Sequence, residues 1–156
     1  MKVILDIEAD NLYLLASKIH CVVAKELDKD HWFVYHQDDR DQFLEDSTKW
    51  THLIGHNILG YDLQVLWKIW DIPITHSPDY LGDRRINFVD TLVLSQLYGP
   101  DRRSGHSLGA WGGILGFSKT DFQDWKEYSE EMLAYCFNDV LLTEKVYKRL
   151  QIEQLG

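Results

Sequence analysis

The chain begins with an apolar strand pattern that runs directly into two carboxylates, in the segment KVILDIE at positions 2–8. A short run of Val, Ile and Leu predicts a buried strand. Alternate residues of a strand share a face, so Asp6 and Glu8 are expected to point the same way, about 6–7 Å apart along the backbone. Two like charges at the end of a buried strand repel each other and lose water, and a divalent cation would offset this cost. The alternative is that both carboxylates only mark the solvated end of the strand.

Length and composition indicate a single globular domain over residues 1–156. Apolar residues make up 45 % of the chain and aromatic residues 13 %, which excludes a disordered protein. No run is long and apolar enough for a membrane span, and we expect no signal peptide because the N-terminus enters a strand at once. Cys21 and Cys136 are too few for a disulfide scaffold, suit a reducing cytosol and are expected to be core thiols.

The formal net charge of −9 counts against a passive nucleic-acid-binding module, because a protein that coats the phosphate backbone is usually basic. It does not exclude an enzyme that acts on nucleic acid. In such an enzyme, bound cations offset the carboxylates of the protein's own site.

The order of strand and helix patterns predicts an α/β fold. Three strands come first, joined by short connections that favour an antiparallel meander. Two further strands alternate with helices, and helices close the chain, which predicts a mixed five-stranded sheet flanked by helices on both faces. The predicted strands are 2–8, 19–27, 31–36, 52–55 and 86–89, and the predicted helices lie near 42–44 and at 61–70, 91–98, 108–115 and 129–150.

Two further acidic positions stand at informative places in this pattern. Asp62 follows the segment HNILGY at a strand-to-helix turn, where a carboxylate either serves a site or caps the helix. Tyr135 and Asp139 are four residues apart, which places both on one face of the last helix. Apolar neighbours put Asp139 beside a buried stripe, where an unpaired carboxylate is costly. The alternative is an exposed Asp139 on a solvated face.

In combination these motifs resemble the DEDD superfamily of 3′–5′ exonucleases. The three motifs are Asp6-Ile7-Glu8, the segment HNILGYD at 56–62, and Tyr135 with Asp139, where the tyrosine resembles that of the tyrosine (DEDDy) branch. The segments DTLVLS at 90–95 and SGHSLGAWG at 104–112 are similar to the proofreading domain of family A DNA polymerases from short-tailed phages. Because the chain stops just after the last exonuclease helix, we expect a stand-alone exonuclease, a split polymerase subunit or a fragment.

The resemblance implies a ribonuclease H-like (DnaQ-like) fold and a single 3′–5′ exonuclease domain over residues 1–156. It also implies two divalent cations, Mg²⁺ or Mn²⁺, which the carboxylates Asp6, Glu8, Asp62 and Asp139 would bind. Asp6, Glu8 and Asp139 would hold the ion that activates water, Asp6 would bridge to the second ion, and Asp62 would reach that ion largely through water. Tyr135 would orient the nucleophilic water. Its phenol, with an ordinary pKa near 10, is not expected to be the sole general base.

Other residues are candidates for substrate contacts. Asn57 is expected either to bind the terminal nucleotide or to stabilise its own turn. His106 resembles a position near the substrate strand of the phage domains. A wall around the terminal sugar and base would come from Ala9, Leu12, Leu59 and Tyr61, with ordinary packing as the alternative for Leu59.

Charged residues outside the motifs have simpler expected roles. Asp90 is expected to cap the helix that follows it. Four arginines, Arg84, Arg85, Arg102 and Arg103, lie in loop-like segments, where each would either touch phosphates or be a solvated surface charge.

The leading hypothesis is a metal-dependent 3′–5′ exodeoxyribonuclease that releases nucleoside 5′-monophosphates from single-stranded or frayed DNA, for proofreading or DNA degradation in phage-type replication. An exoribonuclease of the same superfamily is the first alternative, because the motifs do not read the 2′-hydroxyl. A non-catalytic interaction domain that binds a separate DNA polymerase subunit is the second. The expected location is the cytoplasm, which is the host cytoplasm if a phage encodes the chain, with no membrane partner.

Overall fold

The computed structural model describes residues 1–117 and 122–155, which form strands and helices in the α/β order that the sequence predicts. The strands are β1 (Lys2–Ala9), β2 (Ile19–Glu26), β3 (Trp32–His36), β4 (His52–Gly55), β5 (Ile74–Thr75), β6 (Tyr80–Leu81), β7 (Arg84–Arg85) and β8 (Asn87–Asp90). The α-helices are α1 (Arg40–Asp46), α2 (Leu63–Trp70), α3 (Thr91–Tyr98), α4 (Leu108–Leu115) and α5 (Glu130–Leu155). Two short turns complete them, a 3₁₀ turn at Ser47–Lys49 and a π-helical turn at Ile58–Asp62.

The main sheet has five strands in the order β3-β2-β1-β4-β8. Strands β1, β2 and β3 pair antiparallel, whereas β4 pairs parallel with both β1 and β8. The predicted mixed five-stranded sheet is therefore confirmed. The meander and the parallel strands meet at β1, which places the strand that carries Asp6 and Glu8 in the middle of the sheet.

Alternation along β1 assigns its side chains to two cores. Val3 and Leu5 pack in the core on one face, with Phe43 of α1 and Leu66 of α2. Ile4 faces the other way and packs in a second core. In that core it meets α5, through Met132, Cys136 and Val140. Since side chains alternate along a strand, Asp6 and Glu8 share the face of Ile4 and meet α5.

A second, three-stranded sheet, β5-β6-β7, lies between α2 and β8, where the sequence pattern predicts neither a strand nor a helix. Each of its strands is two residues long, and two residues are too few to show an alternating apolar pattern in the sequence. Ile74 and Leu81 pair across it and are buried in the first core. The turn between β6 and β7 places Gly82 at a φ of +65°, a conformation that glycine adopts without steric cost.

Among residues 1–117 and 122–155, no helix has the length and apolar character needed to cross a lipid bilayer.

Candidate active site

The carboxylate-bearing end of β1 extends past its parallel neighbour. Pairing of β1 with β4 ends at Ile4 and Ile54, whereas pairing with β2 continues to Ala9. The chain leaves β4 at Gly55, where an added Cβ would lie 2.9 Å from Cβ of Ile58. This close approach lets the π-helical turn pack tightly against the end of the sheet. The turn therefore lies at the carboxyl ends of the parallel strands, which is the usual place for a ligand in such sheets.

Asp62 ends the π-helical turn and points its carboxylate at β1. The side chain is buried and accepts a hydrogen bond from the backbone N–H of Ile7, which lies between Asp6 and Glu8. It makes no capping bond to α2, so the structure disagrees with the helix-cap alternative. Burial raises the pKa of Asp62 well above its ordinary value, and the nearby charge of Asp6 raises it further.

Helix α5 brings Tyr135 and Asp139 to the same place. Asp139 is buried with 4 % of its surface exposed, so the solvated-face alternative does not hold. The ring of Tyr135 is half-buried, and its centroid lies 6.0 Å from Phe122 and 5.4 Å from Trp125. A cavity of about 220 Å³ is lined by all five predicted catalytic residues, Asp6, Glu8, Asp62, Tyr135 and Asp139, together with Ile7, His56, Asn57, Tyr61 and Leu108.

The electrostatics of the cavity favour a cation. Burial raises the pKa of Glu8 to about 12, and the charge of Asp6, a hydrogen bond with Asp6 and the charge of Asp139 act in the same direction. The carboxylates therefore cannot all ionise at neutral pH without a compensating positive charge. Four carboxylates around one small cavity offer hard oxygen donors, which fit Mg²⁺ or Mn²⁺.

Cys136 joins this group, although its position in an apolar pattern predicts only a core thiol. It is a buried thiol as predicted, but its Sγ lies 3.3 Å from Oδ2 of Asp6 and 3.4 Å from the Asp6 carbonyl oxygen. One potential ligand atom from each of Asp6, Glu8 and Cys136 lies within 4.8 Å of the other two. The signal was present in the sequence, because Cys136 precedes Asp139 by three residues and so shares its helical face.

A larger cleft of about 610 Å³ opens next to the carboxylates and shares Glu8 and Tyr61 with the smaller cavity. Three predicted substrate contacts, Ala9, Leu12 and Tyr61, line it. The phenol of Tyr61 donates to the carbonyl of Asn11 at 3.0 Å, which fixes that side of the cleft. Residues 123–126, which the sequence pattern does not single out, also line this cleft.

The remaining predicted substrate contacts lie in different places. Asn57 lines the smaller cavity and has a φ of +61°, a left-handed conformation that Asn tolerates. Leu59 lines a separate cavity with Trp67 and Ile74. His106 is tied into the fold, because its carbonyl accepts from Nε2 of His56 at 2.8 Å and its Nδ1 lies 2.7 Å from Oγ of Ser95.

Two other charged residues stabilise the scaffold around the site. Asp90 caps α3 as predicted, since Oδ1 accepts from the N–H of Leu92 at 2.9 Å. The same carboxylate also accepts from the N–H groups of Asn57 and Leu59 in the π-helical turn. Arg102 forms a bidentate ion pair with Glu153. Its guanidinium, which the sequence analysis names as a candidate phosphate contact, is therefore engaged within the fold.

Arg84 is likewise occupied within the scaffold. Its guanidinium donates to the carbonyl of Ser47 at 2.7 Å and to that of Leu44 at 3.2 Å. The structure therefore assigns Arg84 to the fold rather than to solvent or phosphate.

The strand order and the helices around it define a ribonuclease H-like α/β fold. Among solved structures, Brucella melitensis NrnC with bound Mg²⁺ has a TM-score of 0.69 and 21 % identity, over 97 % of this chain and 72 % of that chain. Escherichia coli RNase D, an exoribonuclease, has a TM-score of 0.63 and 15 % identity over 97 % of this chain and 39 % of its own. Escherichia coli Exonuclease I with a dT13 oligonucleotide also has a TM-score of 0.63, with 12 % identity over 99 % of this chain and 42 % of its own.

Among curated proteins, this chain is similar to the DNA-directed DNA polymerases of two phages. Identity is 27 % to that of Enterobacteria phage T3, over 93 % of this chain, and 26 % to that of Escherichia phage T7, over 95 % of this chain. The chain spans about a quarter of the length of these polymerases, 26 % in each case. No family model matches the sequence. The predicted resemblance to DEDD exonucleases and phage polymerases is confirmed.

Proposed function

We propose that the chain is a divalent-metal-dependent 3′–5′ exonuclease domain spanning residues 1–156. The observation that carries this proposal is the meeting of four carboxylates and Tyr135, from β1, the π-helical turn and α5, around one cavity. Structural necessity does not explain this grouping, because buried like charges cost free energy unless a ligand compensates them. Hydrolysis of a phosphodiester at a bound metal pair is the chemistry that such a carboxylate set serves.

In this proposal Asp6, Glu8, Asp62 and Asp139 hold two Mg²⁺ or Mn²⁺ ions. When bound, such ions stabilise the charge that develops on the attacking, leaving and non-bridging oxygens. The backbone N–H of Ile7 donates a hydrogen bond to the Asp62 carboxylate. This bond holds Asp62 beside β1, in the cavity that Asp6 and Glu8 also line. Tyr135 would orient the attacking water through its hydroxyl, held by ring contacts with Phe122 and Trp125.

The 3′ end of a single strand would enter through the larger cleft, whose walls suit a nucleotide. Leu12, with 77 % of its surface exposed, presents an apolar side chain at the entrance. Trp125, which also lines the cleft, offers an aromatic ring, and bases stack on such rings with little sequence preference. Glu8 and Tyr61, which line both cavities, would lie where the terminal nucleotide meets the cations.

DNA is the substrate that we propose. The similarity to phage DNA polymerases over more than nine-tenths of this chain supports it. The solved structures are divided, since RNase D is described as an exoribonuclease and Exonuclease I is bound to a DNA oligonucleotide. Release of nucleoside 5′-monophosphates during proofreading or DNA degradation is the corresponding role, in the host cytoplasm if a phage encodes the chain.

Matched DNA and RNA oligonucleotides, each blocked at the 3′ or the 5′ end, test polarity and sugar preference together. We expect mononucleotides from DNA with a 5′ block and none from DNA with a 3′ block. Faster digestion of the RNA would instead make the protein an exoribonuclease. Digestion of 3′-blocked DNA from its free 5′ end would overturn the assigned polarity.

A separate DNA polymerase subunit is the partner that we propose, because the curated relatives of this chain are DNA polymerases. Affinity capture of the replication polymerase from the source of the chain tests this partnership. Failure of the purified pair to bind would remove the partner and leave the nuclease proposal intact.

A further inference from the structure

We propose that Cys136 is a metal ligand, which makes the Asp6 side of the site selective for thiophilic divalent cations such as Zn²⁺, Co²⁺ and Cd²⁺. This proposal rests on the proposed function in so far as the same cavity holds the catalytic cations. It adds a sulfur donor to a set that carboxylates alone would make specific for hard ions. Zn²⁺ would then compete with Mg²⁺ and Mn²⁺ for this position.

The first support is distance. Sγ of Cys136 lies 3.3 Å from Oδ2 of Asp6. In a tetrahedral zinc site with a Zn–S bond of about 2.3 Å and a Zn–O bond of about 2.0 Å, the sulfur and oxygen are about 3.5 Å apart. Glu8 completes a three-atom face, because its carboxylate oxygen lies within 4.8 Å of both. Closing that face onto one ion needs side-chain movements of about an ångström.

The second support is the surroundings of the thiol. Cys136 is fully buried, and Glu8 is 8 % exposed. A cation held between them would be largely shielded from bulk water. In such a shielded place, a thiolate–metal bond competes well with hydration of the ion. The present arrangement already directs the thiol at the carboxylate, because Sγ donates to the side chain and carbonyl of Asp6. Metal binding would replace this hydrogen bond with a metal–sulfur bond and release the thiol proton to solvent.

Cys21 provides a matched control. It is also buried, lies on β2 opposite Glu8 in the strand register and contacts the thiol of Cys136. It does not belong to the three-atom group that Asp6, Glu8 and Cys136 form among the described residues. A Cys21→Ser change therefore alters a neighbouring thiol of the same core without removing the proposed ligand.

Optical titration of the metal-free protein with Co²⁺ tests the assignment. We expect a thiolate-to-cobalt charge-transfer band in the near ultraviolet for the wild type and for Cys21→Ser, and its loss in Cys136→Ser and Cys136→Ala. Calorimetry should show Zn²⁺ binding weakened at least about tenfold in Cys136→Ser. Mn²⁺ binding in that variant should stay within about twofold, because its oxygen ligands remain.

Circular dichroism shows whether each Cys136 variant is folded. If neither is folded, cadmium NMR of the wild type replaces the comparison of variants, and a downfield cadmium resonance is the expected sign of a thiolate ligand. The proposal is overturned if calorimetry shows Co²⁺ bound to the wild type without the band, if Cys136→Ser retains the band, or if the cadmium resonance is that of an all-oxygen site. These spectra do not depend on nuclease activity. If the wild type shows the cobalt charge-transfer band but digests no nucleic acid, Cys136 remains a metal ligand and the proposed exonuclease function is overturned.

Discussion

The ring of Trp125 meets the ring of Tyr135 edge to face, with centroids 5.4 Å apart and an interplanar angle of 79°. The carbonyl of Trp125 in turn lies 2.7 Å from Nε2 of His20 on β2. A segment without regular structure is thus anchored to the sheet and braces the tyrosine of the candidate site. Because Trp125 also lines the larger cleft, one residue contacts both Tyr135 and the proposed path of the substrate.

Replacing Trp125 by Ala should lower kcat about 10- to 100-fold, because the Tyr135 ring loses its lateral support and a small misplacement of a positioning group is costly. Steady-state kinetics on single-stranded DNA measures the effect. Trp125→Phe is the control, since it keeps an aromatic ring against Tyr135, and it should retain most of the activity. Equal rates for Trp125→Ala and the wild type would show that this contact does not position Tyr135.

The metal-free protein should become less stable as the pH rises from about 5 to about 8. The pKa of Glu8 is raised from 4.5 to about 12 in the folded state, so folding favours the protonated form. Above pH 4.5 the unfolded chain loses this proton while the fold retains it, and the stability contribution falls until the folded pKa is reached. Melting temperatures measured across this range in the presence of a chelator test the slope.

Glu8→Gln is the control for this slope, because the amide does not ionise, and its melting temperature should depend less on pH. Saturating Mn²⁺ should stabilise the wild type more strongly at about pH 8 than at about pH 5, since the ligands bind in their deprotonated forms. A wild-type slope equal to that of Glu8→Gln would show that Glu8 is not the group responsible.

Asp90→Ala should reduce the free energy of unfolding by about 1–3 kcal/mol. The change removes the cap of α3 and leaves the N–H groups of Asn57 and Leu59 without their carboxylate acceptor. Urea denaturation measures the loss. Asp90→Asn keeps one carbonyl acceptor and should lose less, and an Ala variant as stable as the wild type would contradict the dual role of this carboxylate.

Arg102→Ala should reduce stability without weakening the binding of nucleic acid. The guanidinium lies 4.6 Å from the ring centroid of Trp111 and donates to Glu153 at 2.9 Å. We expect a loss of about 1–3 kcal/mol in urea denaturation and an unchanged KM for single-stranded DNA. The exposed neighbour Arg103 provides the control, because Arg103→Ala should leave stability nearly unchanged. A raised KM for Arg102→Ala in the folded protein would assign this arginine to the substrate.

Local patterns were sufficient to predict most of the sheet and several helices. Helix α3 lies at Thr91–Tyr98 as predicted, because Asp90 caps its start and Gly99-Pro100 marks its end. The helix predicted from Tyr61 begins two residues later as α2, because a π-helical turn occupies Ile58–Asp62 and has no period of its own in the sequence.

Contacts between distant segments account for what the sequence did not predict. Cys136 meets Asp6 across 130 positions, and Trp125 meets Tyr135 from a segment with neither helical nor strand periodicity. The carboxylates were easier to find, because charged groups interrupting apolar patterns are conspicuous, whereas a cysteine in an apolar pattern suits an ordinary core equally well.

Asp6 and Asp139 are the residues on which the proposed cation-dependent hydrolysis of phosphodiesters depends most directly. The most direct test is the release of mononucleotides from 3′-labelled single-stranded DNA, with Mg²⁺ or Mn²⁺, for the wild type, Asp6→Ala and Asp139→Ala. We predict rapid release by the wild type, its loss on addition of a chelator, and a decrease of at least about 100-fold in each variant that circular dichroism shows to be folded. Digestion by either variant at the wild-type rate would contradict the assigned site.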